Sequence, residues 1–569
     1  MINNLLKSRP YLLVSFWMII GGILRVFKLG SKPPWTDEFA TVFYSRGDDY
    51  SQISINTIIS PAELLAPLKG YPIHNLKDVA ALLIQQDNHP PLYFLIANLW
   101  QKLFPLEADN YISINSIRYL SVIFSIVGIF AIYWIAKKSF KSESIAQISA
   151  ALMALSPFNI YLAQEARHYS LIILVAIASF GYCLHCINCL LEKKALSYFI
   201  IFGWLSINIC GLLTHYFFAL TLIAQAIAFI WLLYTHKILP NKSQSLRIVS
   251  VVIGVAFFSL IWITQVLPSS YGSAMTDWIR LDYSDWSEFF FPVGQFIYAL
   301  ATMIFVLPVK APVVSIIIVS GILMVIFILK LFRFWQQGIS HQINNPQYQP
   351  LIFFLTRFVV IAWGLFIILT YGFGYDITRG ARYHFIYFPA IILLVAIGMS
   401  HFWQRNNSQF FQSQKIFVFF SKSGSQAIAL ILSLSFLGSL TVINNLAYQK
   451  PYQPTPIIQQ IEKDAQPALI LTYHKSIVQI GEMMAIAWER YRSSSPSDIS
   501  FALIPYQDNP ENYHPDFEQI IAKYPNQEFK LWTLNLQEDS TPKLCETPQK
   551  TRQAGYYGYV YHCNKKATT

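Results

Sequence analysis

The sequence predicts a polytopic α-helical membrane protein that carries a small α/β domain at its C-terminal end. Three observations predict it. Of the 569 residues, 54% are hydrophobic and only 12% are charged, about half the charged share of a soluble globular chain. Mean hydropathy is +0.41. Apolar runs recur as far as Asn444, after which the chain turns polar; many approach the roughly 20 residues that cross a hydrocarbon core of about 30 Å.

The elements follow in order. Lys7 and Arg9 precede an apolar run from Tyr11 to Phe27 with no small-residue cleavage motif after it, so the run reads as an uncleaved first span. A loop over 29–90 follows, long enough within a membrane domain to be functional. Further apolar runs begin near Asn115, Ile145, Ser170, Ser197, Phe217, Ile248, Pro312, Ile352, His384 and Ala427. Two others, Pro91–Phe104 and Gln295–Leu307, are short for a crossing and read as re-entrant or interfacial. The expected count is about eleven crossings, or about thirteen if both short runs cross.

The net charge of +11 sits mainly between apolar runs, as in Lys137-Lys138-Ser139-Phe140-Lys141, Glu192-Lys193-Lys194 and Lys330-Leu331-Phe332-Arg333. Short basic loops mark the cytoplasmic face. The charge therefore reports topology, and no nucleic-acid partner is implied. The same alternation puts 164–169, 214–216 and 376–383 on the opposite face, with the C-terminal domain.

The expected organisation is a membrane domain over 1–445, a proline-rich linker over 446–456, and an α/β domain over 457–569. That last part is long enough to fold alone. Strands are expected at Ala468–Tyr473, Phe529–Leu534 and Tyr556–Tyr561, among helical segments. Cys183, Cys186 and Cys189 have metal-like spacing but lie in an apolar run, where buried, inert cysteine is the better reading. Cys545 and Cys563, alone in the polar tail, are candidates for one disulfide.

Charges are scarce, so those at the outer membrane edge are informative. Pro33-Pro34-Trp35-Thr36-Asp37-Glu38 follows the first span. The prolines stop the preceding helix, and the acids suit the N-terminus of the next. Adjacent helical residues point about 100° apart, so one acid serves as base and the other supports it. His89-Pro90-Pro91-Leu92-Tyr93 closes the long loop. Gln164-Glu165-Ala166-Arg167-His168-Tyr169-Ser170 joins two apolar runs, with its charges on the face that lacks basic loops. Asp376-Ile377-Thr378-Arg379-Gly380-Ala381-Arg382-Tyr383 breaks the positive-inside pattern twice. An anionic ligand explains that, because guanidinium binds phosphate oxygens in pairs and keeps its charge. His215, in Thr214-His215-Tyr216, stands as a metal ligand or a capped helix end, and the sequence leaves both open.

These motifs in this order resemble the GT-C membrane glycosyltransferases, in particular the family of protein O-mannosyltransferases and lipid A aminoarabinose transferases. The resemblance covers about Met1 to Asn445, and implies a sugar donor on a polyprenyl phosphate and inverting transfer to an acceptor outside the cytoplasm. Asp37 then matches the catalytic base and Glu38 the second acid. His89 falls where the aminoarabinose transferases carry a lysine. His215 corresponds to a metal-contacting histidine of that branch. No partner acid is evident, so no metal is assigned, although a divalent ion stays open.

The chemistry asks for the same residues. A departing phosphate needs cations and no proton, while the attacking hydroxyl needs a base. One carboxylate plus cations is therefore expected, in contrast to the two carboxyl groups of glycosidases. Asp37 would take the proton. His89, Glu165, Arg167, His168, Tyr169, Arg379, Arg382 and Tyr383 would bind the donor's phosphate or sugar. The expected setting is a plasma membrane, with site and C-terminal domain extracytoplasmic. The partners are membrane lipids, the lipid-linked donor and a protein, lipid or polysaccharide acceptor. A transporter or flippase of a lipid-linked sugar is the alternative. It would place polar residues near the mid-plane and break helices in paired positions. Tyr271, Trp278, Tyr283 and Trp286 could stack on many sugars, so the sugar is not specified.

Overall fold

The computed structural model describes residues 10–70, 73–87, 89–106, 110–266, 277–281, 286–311, 313–404, 423–506, 514–535, 542–546, 548–553 and 555–568. It is mostly helical. Seven described helices are long and apolar enough to cross a membrane, among them Ile114–Phe140, Tyr169–Leu191, Lys242–Gln265 and Val314–Gln342. Pro10–Val26, Tyr198–Leu212 and Phe388–Trp403 are shorter apolar helices. The sequence count of about eleven crossings is reached only if these three and one broken helix also cross.

The apolar run that begins near Ile145 is not one continuous helix. Glu143–Leu155 and Pro157–Ala163 are separate helices bent by 55° at Ser156. Pro157 has no N–H to give and its ring displaces the carbonyl four residues back, while Ser156 caps the new helix by accepting from the Asn159 amide. The freed carbonyls of Met153 and Ala154 find a donor in Arg25, whose guanidinium is fully buried and lies 3.0 and 2.9 Å from them. Arg25 also donates to Ser125 and to the Gly21 carbonyl. Gln164 in turn donates to the Arg25 and Phe27 carbonyls at the end of the first helix. Helix ends leave such carbonyls without partners, so side chains of neighbouring helices supply them.

The chain forms two compact units. One comprises 1–29, 83–93 and 118–448, and the other 30–82, 94–117 and 449–569. The sequence division at 445 follows chain order; the compact units instead group most of the first long loop with the C-terminal region. The second unit holds a six-stranded sheet of β1 (Ile58–Ile59), β2 (Ala468–His474), β3 (Ile499–Pro505), β4 (Glu528–Leu534), β5 (Gln549–Gln553) and β6 (Tyr556–Asn564), in the order β1-β3-β2-β4-β6-β5. β2 runs parallel to β3 and β4, with Leu471 opposite Ala502 and Thr533. The helices Ile477–Ser493 and His514–Lys523 make the two parallel connections, as parallel strands require.

β1 comes from the first loop and pairs antiparallel with β3, placing Ile58 opposite Ala502. It covers an edge that would otherwise expose unpaired backbone. One face of the sheet is filled by Leu469, Leu471, Ile504, Ile520, Phe529 and Leu531. β4 is buried from Leu531 to Leu534 and is thus covered on both faces, whereas β6 mixes buried and half-buried positions. Cys545 and Cys563 form a disulfide within this unit. Cys183, Cys186 and Cys189 are free and buried.

Candidate active site

Asp37 and Glu38 lie in the second unit, in the first turn of the helix Thr36–Arg46. Trp35, at the N-cap, has no side-chain oxygen for the first amides. Tyr452 supplies one, its hydroxyl accepting from the Thr36 amide at 2.7 Å. The two acids meet different surroundings. Glu38 is fully buried and forms an ion pair with Lys450, itself only 6% exposed. Asp37 is half-buried. Glu38 is thus the ion-paired acid and Asp37 the more exposed of the two. Thr41 donates to the Asp37 carbonyl at 2.9 Å within the same helix.

The first unit gathers the histidines and arginines. His168 ends the Glu165–His168 turn, just before the helix Tyr169–Leu191. The Arg167 guanidinium lies 3.5 Å from Nε2 of His89. The His168 ring is 5.0 Å from that of His215 and 6.3 Å from that of His89. Tyr93, Tyr169 and Tyr383 border the imidazoles, at 6.1 Å from His168, 4.5 Å from His168 and 5.8 Å from His215. Arg382 lies over Trp278 at 5.2 Å and over Tyr383 at 5.6 Å, distances at which a cation is attracted to an aromatic face.

Burial, then the charges of Arg167, His215, His89 and Arg382, hold His168 well below the usual histidine range. Burial, followed by His89, Arg167 and Arg382, does the same to His215. Both rings are neutral at pH 7. His168 is 3% exposed, and among the described residues neither of its ring nitrogens has a hydrogen-bond partner. Leaving a buried polar group unsatisfied costs about 1–3 kcal/mol. Glu165, also buried, is the carboxylate of this neighbourhood and acts electrostatically with Arg382 on Tyr161.

Arg379 is in a different situation from Arg382, three residues on. It pairs with the fully buried Asp376 at 3.2 Å and with Glu288 at 2.7 Å. Asp376 further accepts from the Thr378 amide and hydroxyl. Arg379 thus fixes the loop that carries Arg382. Trp278, 44% exposed, lies against Arg382, Trp286 is exposed, and Tyr271 and Tyr283 lie outside the described residues. Among the described residues no group of three or more metal-ligating side chains is placed to hold an ion. His215 stands beside Arg167 and Arg382, whose charges oppose a divalent cation.

Sequence reading passed over Tyr93, Lys450 and Tyr452. Tyr93 was visible in the HPPLY motif. For Lys450 the sequence gives no signal, because its partner is 412 residues away.

Residues 88–263 match the model of the family described as Dolichyl-phosphate-mannose-protein mannosyltransferase. The stretch includes His89, the Glu165–Tyr169 turn and His215. The chain resembles the GT-C-fold glycosyltransferases. Two solved structures are similar to this chain. ArnT from Cupriavidus metallidurans bound to undecaprenyl phosphate is 10% identical, with 97% of each chain covered and a TM-score of 0.49. Its apo state is also 10% identical, with 98% of each chain covered and the same TM-score. No curated protein matches the chain.

Proposed function

We propose that the chain is an inverting glycosyltransferase that moves a sugar from a polyprenyl-phosphate donor to an acceptor hydroxyl on the extracytoplasmic face of a membrane. The observation that carries the reading is the cluster of buried Arg167 and His168 with half-buried Arg382, His89 and His215, in which neither ring nitrogen of His168 has a hydrogen-bond partner among the described residues. Guanidinium and imidazole donors suit phosphate oxygens, and charge-assisted hydrogen bonds to such a group are about twice as strong as neutral ones. The family match supports a lipid-phosphate sugar as donor. The Cys545–Cys563 disulfide supports an oxidising compartment for the unit that holds it.

In the transfer, the acceptor oxygen attacks C1 of the sugar and a C–O bond forms with inversion. The bond from C1 to the phosphate oxygen breaks, and both its electrons leave with the lipid phosphate. The negative charge that develops there is met by Arg167, Arg382 and the imidazole N–H groups. No proton is needed by the leaving group. The proton of the acceptor hydroxyl goes to the Asp37 carboxylate, which general-base catalysis assigns to a half-exposed acid in preference to the paired Glu38. Tyr383 and Trp278 offer faces against which a sugar ring can stack. Acceptor class and sugar are left to experiment.

The test is transfer of radiolabelled sugar from polyprenyl-phosphate sugars by purified protein in detergent, with wild type and Asp37→Asn side by side. Wild type is expected to transfer or slowly hydrolyse the sugar. Asp37→Asn should be slower by about 10²- to 10⁴-fold, the usual worth of a general base. If wild type binds these lipids and cleaves none of them, the transporter alternative takes over.

A further inference from the structure

The proline-rich segment after the last apolar helix reads as a spacer, yet two of its side chains are buried. Lys450 is 6% exposed on its side chain and Tyr452 is 3% exposed. Both are directed at the helix of Asp37 and Glu38.

At Thr36 the hydroxyl donates to the Val478 carbonyl at 3.2 Å. Its proton is then committed, so the 2.8 Å contact with Tyr452 is a bond in which the tyrosine donates. The Tyr452 oxygen accepts in turn from the Thr36 amide. The first amide of the helix, the tyrosine, the threonine and a backbone carbonyl form one unbroken chain. Gly481 leaves the room it needs, since a Cβ there would strike Thr36. Two residues along the helix, the Glu38 carboxylate is fully buried. A buried carboxylate without a counter-ion costs several kcal/mol, and Lys450 is the counter-ion. The pair also sets the rotation of the helix. With Glu38 turned inward to Lys450, Asp37 lies about 100° round the axis, where it is half-buried.

We infer that Lys450 and Tyr452 are positioning residues for Asp37, Lys450 by fixing Glu38 and Tyr452 by anchoring Thr36. The inference rests on the reading of Asp37 as the base. The ionisable groups about this anchor are Asp37, Glu38, Lys450, Tyr452 and Glu482, the last two carried by the segment after the final apolar helix and by the helix Ile477–Ser493. None of the anchoring contacts involves a reacting atom, so loss of either residue should lower kcat and leave the donor KM unchanged.

The experiment uses the full chain in detergent and two readouts. Hydrogen exchange of peptides covering 36–46 reports the helix without any substrate, and turnover of polyprenyl-phosphate sugars reports the chemistry. Tyr452→Phe, which loses two hydrogen bonds to Thr36, is expected to raise exchange in 36–46 about tenfold or more, and Lys450→Met, which strands a buried carboxylate, about 100-fold or more. They should lower kcat by a similar factor with KM unchanged, and Lys450→Arg should restore both. The double variant Glu38→Gln with Lys450→Met removes both charges and should recover protection lost in Lys450→Met alone, which separates the pairing from a failure to fold. An active wild type beside Tyr452→Phe and Lys450→Met proteins with unchanged exchange and unchanged kcat overturns the positioning role and leaves the transferase reading intact. A wild type that turns over no donor overturns the transferase reading, and with it the role given to these residues in catalysis.

Discussion

The acid helix and the cation cluster treat buried polar groups in opposite ways. In the helix Thr36–Arg46 Glu38 has Lys450, Thr36 has Tyr452 and Val478, and Arg46 has Asp48 at 3.5 Å and the Lys69 carbonyl at 2.7 Å. In the cluster His168 is buried with both ring nitrogens lacking a hydrogen-bond partner among the described residues. A satisfied network holds one geometry, while an unsatisfied one is costly until a ligand completes it. Three residues apart, Arg379 is held by Asp376 and Glu288, and Arg382 lies over Trp278 and Tyr383.

Substitutions can break or sharpen this contrast. The largest effect is expected from Asp37→Asn, which should remove transfer and leave lipid-phosphate binding unchanged. Next come the arginines. Arg379→Met strands the buried Asp376 and should destabilise the protein by about 3 kcal/mol, seen as a lower Tm, while the folded fraction still binds polyprenyl phosphate. If Arg379→Met instead leaves Tm alone and abolishes binding, the distinction between the two arginines is wrong.

Arg25→Met tests the helix break. It takes donors from the Met153 and Ala154 carbonyls, and a loss of about 2 kcal/mol is expected from the unsatisfied groups, measured as Tm in the same detergent.

The smallest effect concerns Glu482. Burial pushes its carboxyl up to about 7, against the opposing hydrogen bond from Asn535. The folded protein therefore keeps this proton above the ordinary carboxylate range, where the unfolded chain has lost it. Stability from this group is full at acid pH, falls as pH rises past about 4.5, and levels off above about 7. Wild type should lose about 2 °C of Tm relative to Glu482→Gln between pH 5 and pH 8. Parallel curves would show that Glu482 does not hold its proton.

Much of this was legible in the sequence, for physical reasons. Apolar runs long enough to cross a bilayer cannot be hidden, and Pro157 was plain to see, although the 55° bend at Ser156 was not foreseen. The cluster motifs stood out because a charge at the end of an apolar run is rare enough to need a cause. The strands β2, β4 and β6 were expected within a few residues of their ends. β1 was not, since two isoleucines in a loop carry no periodicity and pair only because β3 offers an edge. Lys450 and Tyr452 stayed hidden for the same reason. Prolines on both sides mark a linker, and nothing local says that its side chains are claimed by a helix more than 400 residues earlier.

The most direct test of the central claim is equilibrium binding of a sugar-free polyprenyl phosphate to wild type, Arg167→Met and Arg382→Met in detergent. Each arginine contributes a charge-assisted bond worth about 1.5–3 kcal/mol, so the affinity of the folded protein should fall roughly 10- to 100-fold in both variants. Unchanged affinity in both folded variants would contradict the assignment of this cluster to the donor phosphate.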